Sequence, residues 1–375
     1  MSSLSALSLS RLSLSELSRR EVIGAAGLAG LGLVAGSTPA LAATKTETVP
    51  DSAIGTQLFT CTVATLVAMP VALELIATIG YQIVEHAGYP TAVNAQTFRS
   101  ELDASGLRCT SGHTDIPHPY NDATWKTALE NANIVGQSYI VCPSKSGLST
   151  VAHWKAYADS LNKAGAAAKA AGLRSIGHHN HTGEWQPLPG SKLRPVDVLL
   201  QNTDPALVHL EMDIGWAYAA LGSVEKVQAE LRRYPARIRQ FHVKDIVNDA
   251  PVLPGQGEIG KEGFAKIFGT AKETRQPITD YLIEDDTALV TCADAELTGY
   301  QLLHGMTYTW QAPESRTRSG GSGGSGSGGS GSSSGGGSGG SLAATGGALT
   351  GVGTLGLAAL AGAVLARRRR STTII

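Results

Sequence analysis

The stretch Ile176–Glu184, which reads IGHHNHTGE, holds the densest group of chemically versatile side chains in this chain. The apolar residues before it predict a strand, in which successive side chains point to opposite faces. His179 and His181 therefore share one face, and His178 and Asn180 share the other. Neutral imidazole is a common ligand of divalent metals, so the pair on one face predicts half of a metal site. The alternative is a polar loop whose histidines only form hydrogen bonds.

Composition sets broad limits on the function. A chain of 375 residues with 42% hydrophobic content can bury a large core in one or two domains. A net charge of -1 gives no general attraction to nucleic acid. The four cysteines, Cys61, Cys109, Cys142 and Cys292, form no CxxC pair, which argues against a zinc ribbon and a disulfide scaffold. We expect buried thiols, with Cys109 and Cys142 on neighbouring predicted strands.

The N-terminal segment has the features of an export signal. Arg19 and Arg20 precede a glycine-rich apolar run, Ala25–Gly36, and an A-x-A site follows. This order resembles a twin-arginine signal peptide over residues 1–42, cleaved after Ala42. An ordinary secretory signal that carries two arginines is the alternative.

The C-terminal segment has the three parts of a wall-sorting signal. Residues 319–341 are only Gly and Ser, so they should form a flexible coil that spans roughly 25–30 Å. The parts that follow are Leu342–Gly346 (LAATG), the apolar run Ala348–Ala366 and the basic cluster Arg367–Arg370. They resemble an LAxTG sortase signal, which implies cleavage after Thr345 and attachment to the cell wall. A permanent membrane anchor is the alternative.

Between these ends, strand-like and helix-like segments alternate. The predicted strands are Ile54–Thr60, Gly80–Glu85, Leu107–His113, Ser138–Pro143, Leu173–His179, Leu207–Ile214, Ile238–Lys244 and Asp280–Glu284. The predicted helices are Asn121–Ala132, Ser149–Ala171, Val224–Arg233, Phe264–Glu273 and Glu296–Leu303. Eight such repeats predict a single α/β domain, a (β/α)8 TIM barrel over residues 50–312, followed by a linker at 313–341 and the sorting segment with its hydrophobic helix at 342–375. A doubly wound sheet is the alternative, but Thr60–Ala64 has no GxGxxG loop.

Polar and ionisable residues occur at nearly every predicted strand end. They are Glu85, His86, His113, His179, His181, Glu211, Asp213, His242, Lys244, Asp245, Glu284, Asp285 and Asp286. Each has an ordinary structural explanation when taken alone. In a barrel, however, the carboxyl ends of the strands form one rim, which is where active sites lie. We therefore expect these side chains to converge.

This ordered set resembles the sugar isomerases and epimerases of the xylose-isomerase-like TIM-barrel superfamily, of the AP endonuclease family 2 type. The resemblance covers about Ile54 to Leu303. The segments that carry it are Ile54–Thr60, Ile79–Glu85, His179–His181, Glu211–Trp216, Phe241–Asp245 and Ile283–Glu284. It implies a barrel enzyme with one divalent ion, commonly manganese.

In that family the ion is held by Glu, Asp, His and Glu from strands five to eight. The matching positions are His179, Asp213, His242 and Glu284. The chain thus has an imidazole where many relatives have the first glutamate. Two imidazoles beside two carboxylates still suit Mn²⁺ but shift the preference toward Zn²⁺ or Co²⁺. The change also removes one of the two glutamates that exchange protons with the substrate in such epimerases.

The resemblance implies an isomerase or epimerase of a small carbohydrate or keto-sugar, working through a metal-stabilised enediolate. The signals at the two ends imply that this enzyme is exported. Glu284 is the expected base, and the acid is expected among His113, His179 and Lys244. The expected substrate-binding residues are Glu85, His181, Glu211 and Trp216.

Two other functions stay open, a keto-sugar lyase or dehydratase on the same site and a non-catalytic sugar-binding wall protein. The expected partners are the substrate, the twin-arginine export machinery and a sortase, with a homo-oligomer left open and nucleic acid excluded. The near-neutral net charge provides no basic groove for DNA.

Overall fold

The computed structural model describes residues 43–88, 93–287 and 292–312. The predicted export signal at 1–42, the Gly/Ser linker at 313–341 and the sorting signal at 342–375 lie outside the described residues. Within the described ranges, none of the helices combines the length and the apolar character needed to cross a bilayer.

Eight parallel strands form a nearly closed barrel, which confirms the predicted fold. In chain order, the strands of the described residues are β1 (Thr44–Thr48), β2 (Ile54–Gln57), β3 (Ile83–His86), β4 (Arg108–Gly112), β5 (Tyr139–Cys142), β6 (Ser175–His179), β7 (Val208–Asp213), β8 (Ile238–Val243), β9 (Asp245–Val247), β10 (Ala250–Val252), β11 (Asp280–Ile283) and β12 (Thr307–Gln311). The barrel order is β4-β3-β2-β11-β8-β7-β6-β5. The seam between β4 and β5 is bridged by backbone bonds from Ser138 N–H to Thr110 O (2.8 Å) and from Thr114 N–H to Val141 O (2.9 Å).

Helices cover the outside of the barrel. They are α1 (Thr62–Ile79), α2 (Ala95–Ser105), α3 (Asp122–Val135), α4 (Val151–Ala170), α5 (Pro195–Asn202), α6 (Ile214–Leu221), α7 (Val224–Arg233), α8 (Gly260–Glu273) and α9 (Ala293–Leu303). The five predicted helices are confirmed, whereas α1, α2, α5 and α6 were missed. Helix α1 is apolar along most of its sequence and is kinked at Ala68, two residues before Pro70, so it lacks amphipathic spacing. Helices α5 and α6 have only eight residues each, too few for a periodic signal.

The apolar core lies between the strands and the helices. Phe241 and Met212 point outward from their strands and are fully buried, and the Phe241 ring lies 5.7 Å from that of Phe268 on α8. The inside of the barrel is polar instead. Gln240 donates to Ser111 Oγ at 2.8 Å and to Asp280 Oδ2 at 3.0 Å. Because side chains alternate along β8, this arrangement also directs His242 into the barrel.

The expectation of four buried thiols is wrong for two of the cysteines. Cys61 and Cys292 form a disulfide, although 231 residues separate them in sequence. Strands β2 and β11 are neighbours in the barrel, so the segments that follow them meet, and the two Cα atoms lie 5.1 Å apart. Sequence spacing alone could not show this closure. Cys109 and Cys142 are buried free thiols, as expected.

Candidate metal centre and acid–base site

The four predicted metal ligands converge at the carboxyl end of the barrel. His179 and Asp213 end β6 and β7, His242 is the next-to-last residue of β8, and Glu284 follows β11. All four are at least 95% buried, and each offers a ligand atom within 4.8 Å of the others. The alternation predicted for β6 holds, because His178 points outward and packs against Trp154. The structure thus brings together the four residues that are proposed to bind the metal.

A second ligand set shares two of these residues and lies deeper in the barrel. His113, His179, Glu211 and His242 also offer atoms within 4.8 Å of one another. His179 directs Nδ1 to Glu211 Oε2 (3.2 Å) and Nε2 toward Asp213 Oδ2 (3.9 Å). His113 Nε2 lies 3.0 Å from the same Glu211 oxygen. The imidazoles and carboxylates thus form one continuous cluster.

His242 connects the two sets through both ring nitrogens. Its Nδ1 lies 2.6 Å from Glu284 Oε2, and its Nε2 lies 2.8 Å from Glu85 Oε1. Burial alone would lower the pKa of His242, but the carboxylates of Glu211 and Glu284 outweigh burial and raise this pKa well above its usual value. Without a metal, His242 is therefore held as a cation. Metal binding would have to displace a proton from it.

The other two histidines of the cluster differ in charge. Burial, together with the nearby His242, His181 and His113, lowers the pKa of His179 well below its usual value, so its ring is neutral and competent as a ligand. Burial acts in the same direction on His113, but Glu85 and Glu211 raise its pKa to about 10. His113 therefore carries a proton at neutral pH and is equipped to donate one.

Lys244 is the buried lysine of the site. Its Nζ lies 2.9 Å from Asp213 Oδ2, 3.0 Å from Glu284 Oε2 and 3.1 Å from Asp286 Oδ1. Burial would lower the pKa of Lys244, but these carboxylates raise it well above its usual value. A Cβ atom at position 215 would come within 2.8 Å of the Lys244 backbone oxygen, so Gly215 is what lets α6 pack this closely.

The outer part of the site contains His181 and Trp216, two of the predicted substrate-binding residues. The His181 ring lies 4.9 Å from the His179 ring and 6.2 Å from Trp216. Trp216 is half-buried, and Lys244 Nζ lies 4.9 Å from its ring centroid. The backbone N–H of Trp216 donates to Asp213 Oδ1 at 2.9 Å, which begins helix α6. His181 and Trp216 are thus placed beside the cluster, where a substrate could contact them.

Glu85 and Glu211, predicted to bind substrate, are fully buried inside the cluster. Glu85 Oε1 accepts hydrogen bonds from Gln57 Nε2 (2.7 Å) and His242 Nε2 (2.8 Å), and His113 Nε2 lies 3.1 Å away. Burial would raise the pKa of Glu85, but His113 and His242 hold it well below its usual value. The pKa of Glu211 is raised instead, by burial and by the charge of Glu85.

Four residues that position the site were not predicted as site residues. Gln57 anchors Glu85, and the Asn180 amide exchanges two hydrogen bonds with the backbone of Asp213 (3.1 and 3.2 Å). Asp286 pairs with Lys244. The Asp245 carboxylate accepts four backbone N–H groups from residues 246–260 and so orders the loop after β8. Asp245 and Asp286 were visible as strand-end carboxylates, and Asn180 lies in the histidine-rich stretch, but Gln57 gave no signal.

The cluster fits a divalent cation. Among the described residues, Glu85 Oε2 and Glu211 Oε1 are buried and have no hydrogen-bond partner. Asp213 Oδ2 accepts no aligned hydrogen bond, although Lys244 Nζ lies near it. Buried charges of this kind are costly unless paired or bound to metal. Two imidazole nitrogens with two carboxylates suit Mn²⁺, Zn²⁺ or Co²⁺.

The fold and site together define a TIM-barrel protein with a His/carboxylate cluster at the carboxyl ends of its strands. The family model of the xylose isomerase-like TIM barrel matches residues 73–278, more than half of the chain. The chain belongs to this family.

Curated relatives and solved structures give finer similarities. The chain is 36% identical to the inosose dehydratase of Salmonella agona over 96 residues, which cover 26% of this chain and 29% of that protein. It is 30% identical to the inosose dehydratase of Clostridium tetani over 179 residues, 46% of this chain and 57% of that protein. These matches span less than two thirds of the relatives' lengths. A sugar phosphate isomerase/epimerase from Parabacteroides distasonis aligns with a TM-score of 0.57 at 25% identity, covering 67% of this chain and 93% of that one.

Proposed function

We propose that this protein is an exported, divalent-metal-dependent isomerase or epimerase of a small sugar or keto-sugar. The observation that supports this most is the convergence of His179, Asp213, His242 and Glu284 at the carboxyl end of a barrel of this family. These four residues would hold the ion. When bound, the ion would polarise the substrate carbonyl and stabilise the enediolate that forms when the neighbouring carbon loses a proton.

Glu284 would be the base. Burial tends to raise its pKa, but Lys244 and His242 hold that pKa below its usual value, so the group is ionised at neutral pH. Its Oε2 is taken by His242 and Lys244, which leaves Oε1 for the substrate proton. Lys244 would stabilise negative charge on the substrate oxygen. His113, protonated at neutral pH, would return a proton or support the same oxygen.

A dehydratase or lyase is the second candidate. The same enediolate eliminates a leaving group when one lies β to the carbonyl. Two observations favour this outcome. Several curated relatives are inosose dehydratases, and His179, whose pKa is lowered, stands where such epimerases have the first of their two glutamates. A neutral imidazole bound to metal could not return the proton from the opposite face.

The test is solvent deuterium exchange. The intact protein, loaded with Mn²⁺ or Zn²⁺, is incubated in D₂O with ketohexoses, ketopentoses and a cyclitol ketone, and the products are followed by NMR. We expect deuterium next to the carbonyl, with Asp213→Ala as the inactive control. An isomer without unsaturated product would establish the isomerase, and an unsaturated product would establish the lyase. Tight metal binding without any exchange would favour the non-catalytic wall protein instead.

Export and wall attachment form a separate part of the proposal. The predicted signals at both ends support it, and the Cys61–Cys292 disulfide adds support because such bonds persist mainly in oxidising compartments. Cell fractionation would test it with Arg19→Lys/Arg20→Lys and Thr345→Ala variants. We expect the first to stay inside the cell and the second to be exported without joining the wall. Normal wall attachment of both variants would contradict the proposal.

A further inference from the structure

We infer that the site accepts only uncharged sugar or cyclitol ketones and rejects substrates that carry a phosphate or carboxylate group. The inference rests on the proposed function and specifies its substrate class. It follows from the charges that surround the predicted substrate position and from the carboxylates that already pair with the cations there.

Carboxylates dominate the site. Five acidic side chains belong to the connected cluster: Glu85, Glu211, Asp213, Glu284 and Asp286. One lysine faces them, together with the histidines described above. Two of these carboxyl groups also present buried oxygens, Glu85 Oε2 and Glu211 Oε1, that have no hydrogen-bond partner among the described residues. An anionic substrate would therefore enter a site that already lacks positive charge.

Lys244 is surrounded by carboxylates. An ammonium group has three N–H donors, and Lys244 Nζ has three carboxylate oxygens at 2.9, 3.0 and 3.1 Å. Its side chain is 1% exposed, and the Trp216 ring covers it on another side. A phosphate oxygen in contact with the ammonium group would lie next to these three buried carboxylates and be repelled by them.

Two of the other three cations on the loops after the barrel strands are already paired with carboxylates. Lys145 pairs with Asp115 at 2.9 Å and donates to Ile116 O at 3.1 Å. Arg194 is bound to carboxylates on α5 and α7. Lys192 is exposed in a turn closed by the hydrogen bond from Leu188 N–H to Leu193 O. Residues 89–92 and 288–291, which fall between the described ranges, contain neither Lys nor Arg in their sequence.

The donors that usually bind phosphate are thus missing from the described part of the site. A phosphate group carries roughly -1.5 to -2 charges near pH 7 and is normally held by Arg, Lys or free N–H groups at a helix start. Helix α6 begins at the site, but Asp213 already accepts the N–H of Trp216 there. Sugar hydroxyl groups, in contrast, can donate to carboxylates. The site is rich in acceptors and so matches a neutral polyol.

The test compares matched substrate pairs on the intact, metal-loaded protein. Each ketohexose or ketopentose is assayed beside its monophosphate ester by solvent deuterium exchange. We expect kcat/KM for the neutral member to exceed that for the ester by roughly a hundredfold or more. Equal or faster exchange of the ester would overturn the inference and leave the proposed function intact.

A binding measurement keeps the inference testable if no sugar undergoes exchange, a result that would refute the proposed function itself. Inorganic phosphate is titrated calorimetrically into the metal-loaded protein. We expect no binding at submillimolar concentration. Binding in that range would overturn the inference.

A variant pair tests whether charge is the cause. Asp286→Asn removes the negative charge of Asp286, the most exposed of the three carboxylates near Lys244, with a side chain that is 26% exposed. We expect it to shift the ester-to-neutral ratio of kcat/KM toward the ester by roughly tenfold. Asp103→Asn removes the same charge from helix α2, where Asp103 pairs with Arg99, and should leave the ratio unchanged. An unchanged ratio in Asp286→Asn would refute the electrostatic cause.

Discussion

Two buried networks of charged side chains in the described part of the barrel differ in how completely they are paired. The first is the cluster at the carboxyl ends of the strands. The second lies between α5 and α7, where the Arg194 guanidinium donates to Asp197 at 2.8 and 3.0 Å and to Glu230 at 2.8 and 2.9 Å. The Tyr234 hydroxyl also donates to Asp197. Every side-chain oxygen of this second network's two carboxylates has a partner.

The cluster at the strand ends is not complete in this way. Buried oxygens of Glu85 and Glu211 have no hydrogen-bond partner among the described residues, and three histidines crowd one another. The residue types in the two networks are similar, so composition does not separate them. The difference is that one network neutralises itself, whereas the other needs a cation or substrate from outside. An incomplete buried network is therefore the stronger indication of function.

The sharpest test of this distinction is the loss of one carboxylate from the incomplete network. Glu284→Gln keeps the shape of the side chain but removes the proposed base. We expect kcat/KM for deuterium exchange to fall by about 10²–10⁴-fold. Steady-state kinetics would measure the effect, expressed per folded molecule. Activity within tenfold of the unmodified protein would show that another group accepts the proton.

The same kind of change in the complete network should have the opposite result. Asp197→Asn leaves part of the buried Arg194 guanidinium unpaired, so we expect the free energy of unfolding to fall by about 3 kcal/mol. Urea unfolding would measure the loss. Activity per folded molecule should stay unchanged, because Asp197 has no contact with the cluster at the strand ends. A loss of activity without a loss of stability would contradict the structural role of this network.

Metal removal should lower the stability of the protein only when the cluster at the strand ends is intact. A ligand present at a hundredfold excess over its Kd stabilises the folded state by about 2.7 kcal/mol. Chelation should therefore lower the melting temperature of the unmodified protein and of Asp197→Asn, and elemental analysis should find one equivalent lost. The melting temperature of Asp213→Ala should not change when the chelator is added. An equal response in Asp213→Ala would mean that any bound ion lies elsewhere.

The barrel was predictable because its information is local. The eight strand segments are short apolar runs that end in polar residues, and all eight were found within a few residues of their observed bounds. Helices without periodicity, such as α1 and α6, were missed. So was the pairing of β1 with β12, which joins the two ends of the described chain. Strand pairing over such a distance leaves no local pattern.

The cluster was predictable in membership but not in geometry. Strand ends and the family resemblance indicated His179, Asp213, His242 and Glu284. No sequence pattern indicated that His242 would face Glu284 with one nitrogen and Glu85 with the other. The Cys61–Cys292 disulfide was missed for a similar reason, because barrel closure brings the two residues together. The supporting amides of Gln57 and Asn180 depend on contacts that only the folded chain creates.

Glu296 on α9 is a buried carboxyl group outside both networks. It extends the comparison to a group that is neutralised by a proton. It is fully buried, its Oε1 accepts a hydrogen bond from Thr56 Oγ1 at 2.8 Å, and its Oε2 has no partner in the described part of the chain. Burial raises its pKa from 4.5 to about 8. The folded state therefore keeps this proton up to about pH 8, whereas the unfolded chain releases it above about pH 4.5.

Unfolding at neutral pH therefore releases the Glu296 proton, and stability should fall as the pH rises between these two values. The expected slope from this group is about 1 kcal/mol per pH unit. Glu296→Gln should remove that slope between pH 5.5 and 7.5 and leave the variant relatively more stable at the upper end. Urea unfolding at several pH values would measure it. Parallel pH profiles for the two proteins would mean that Glu296 is ionised in the fold, and the group would then need a cation that the described residues do not provide.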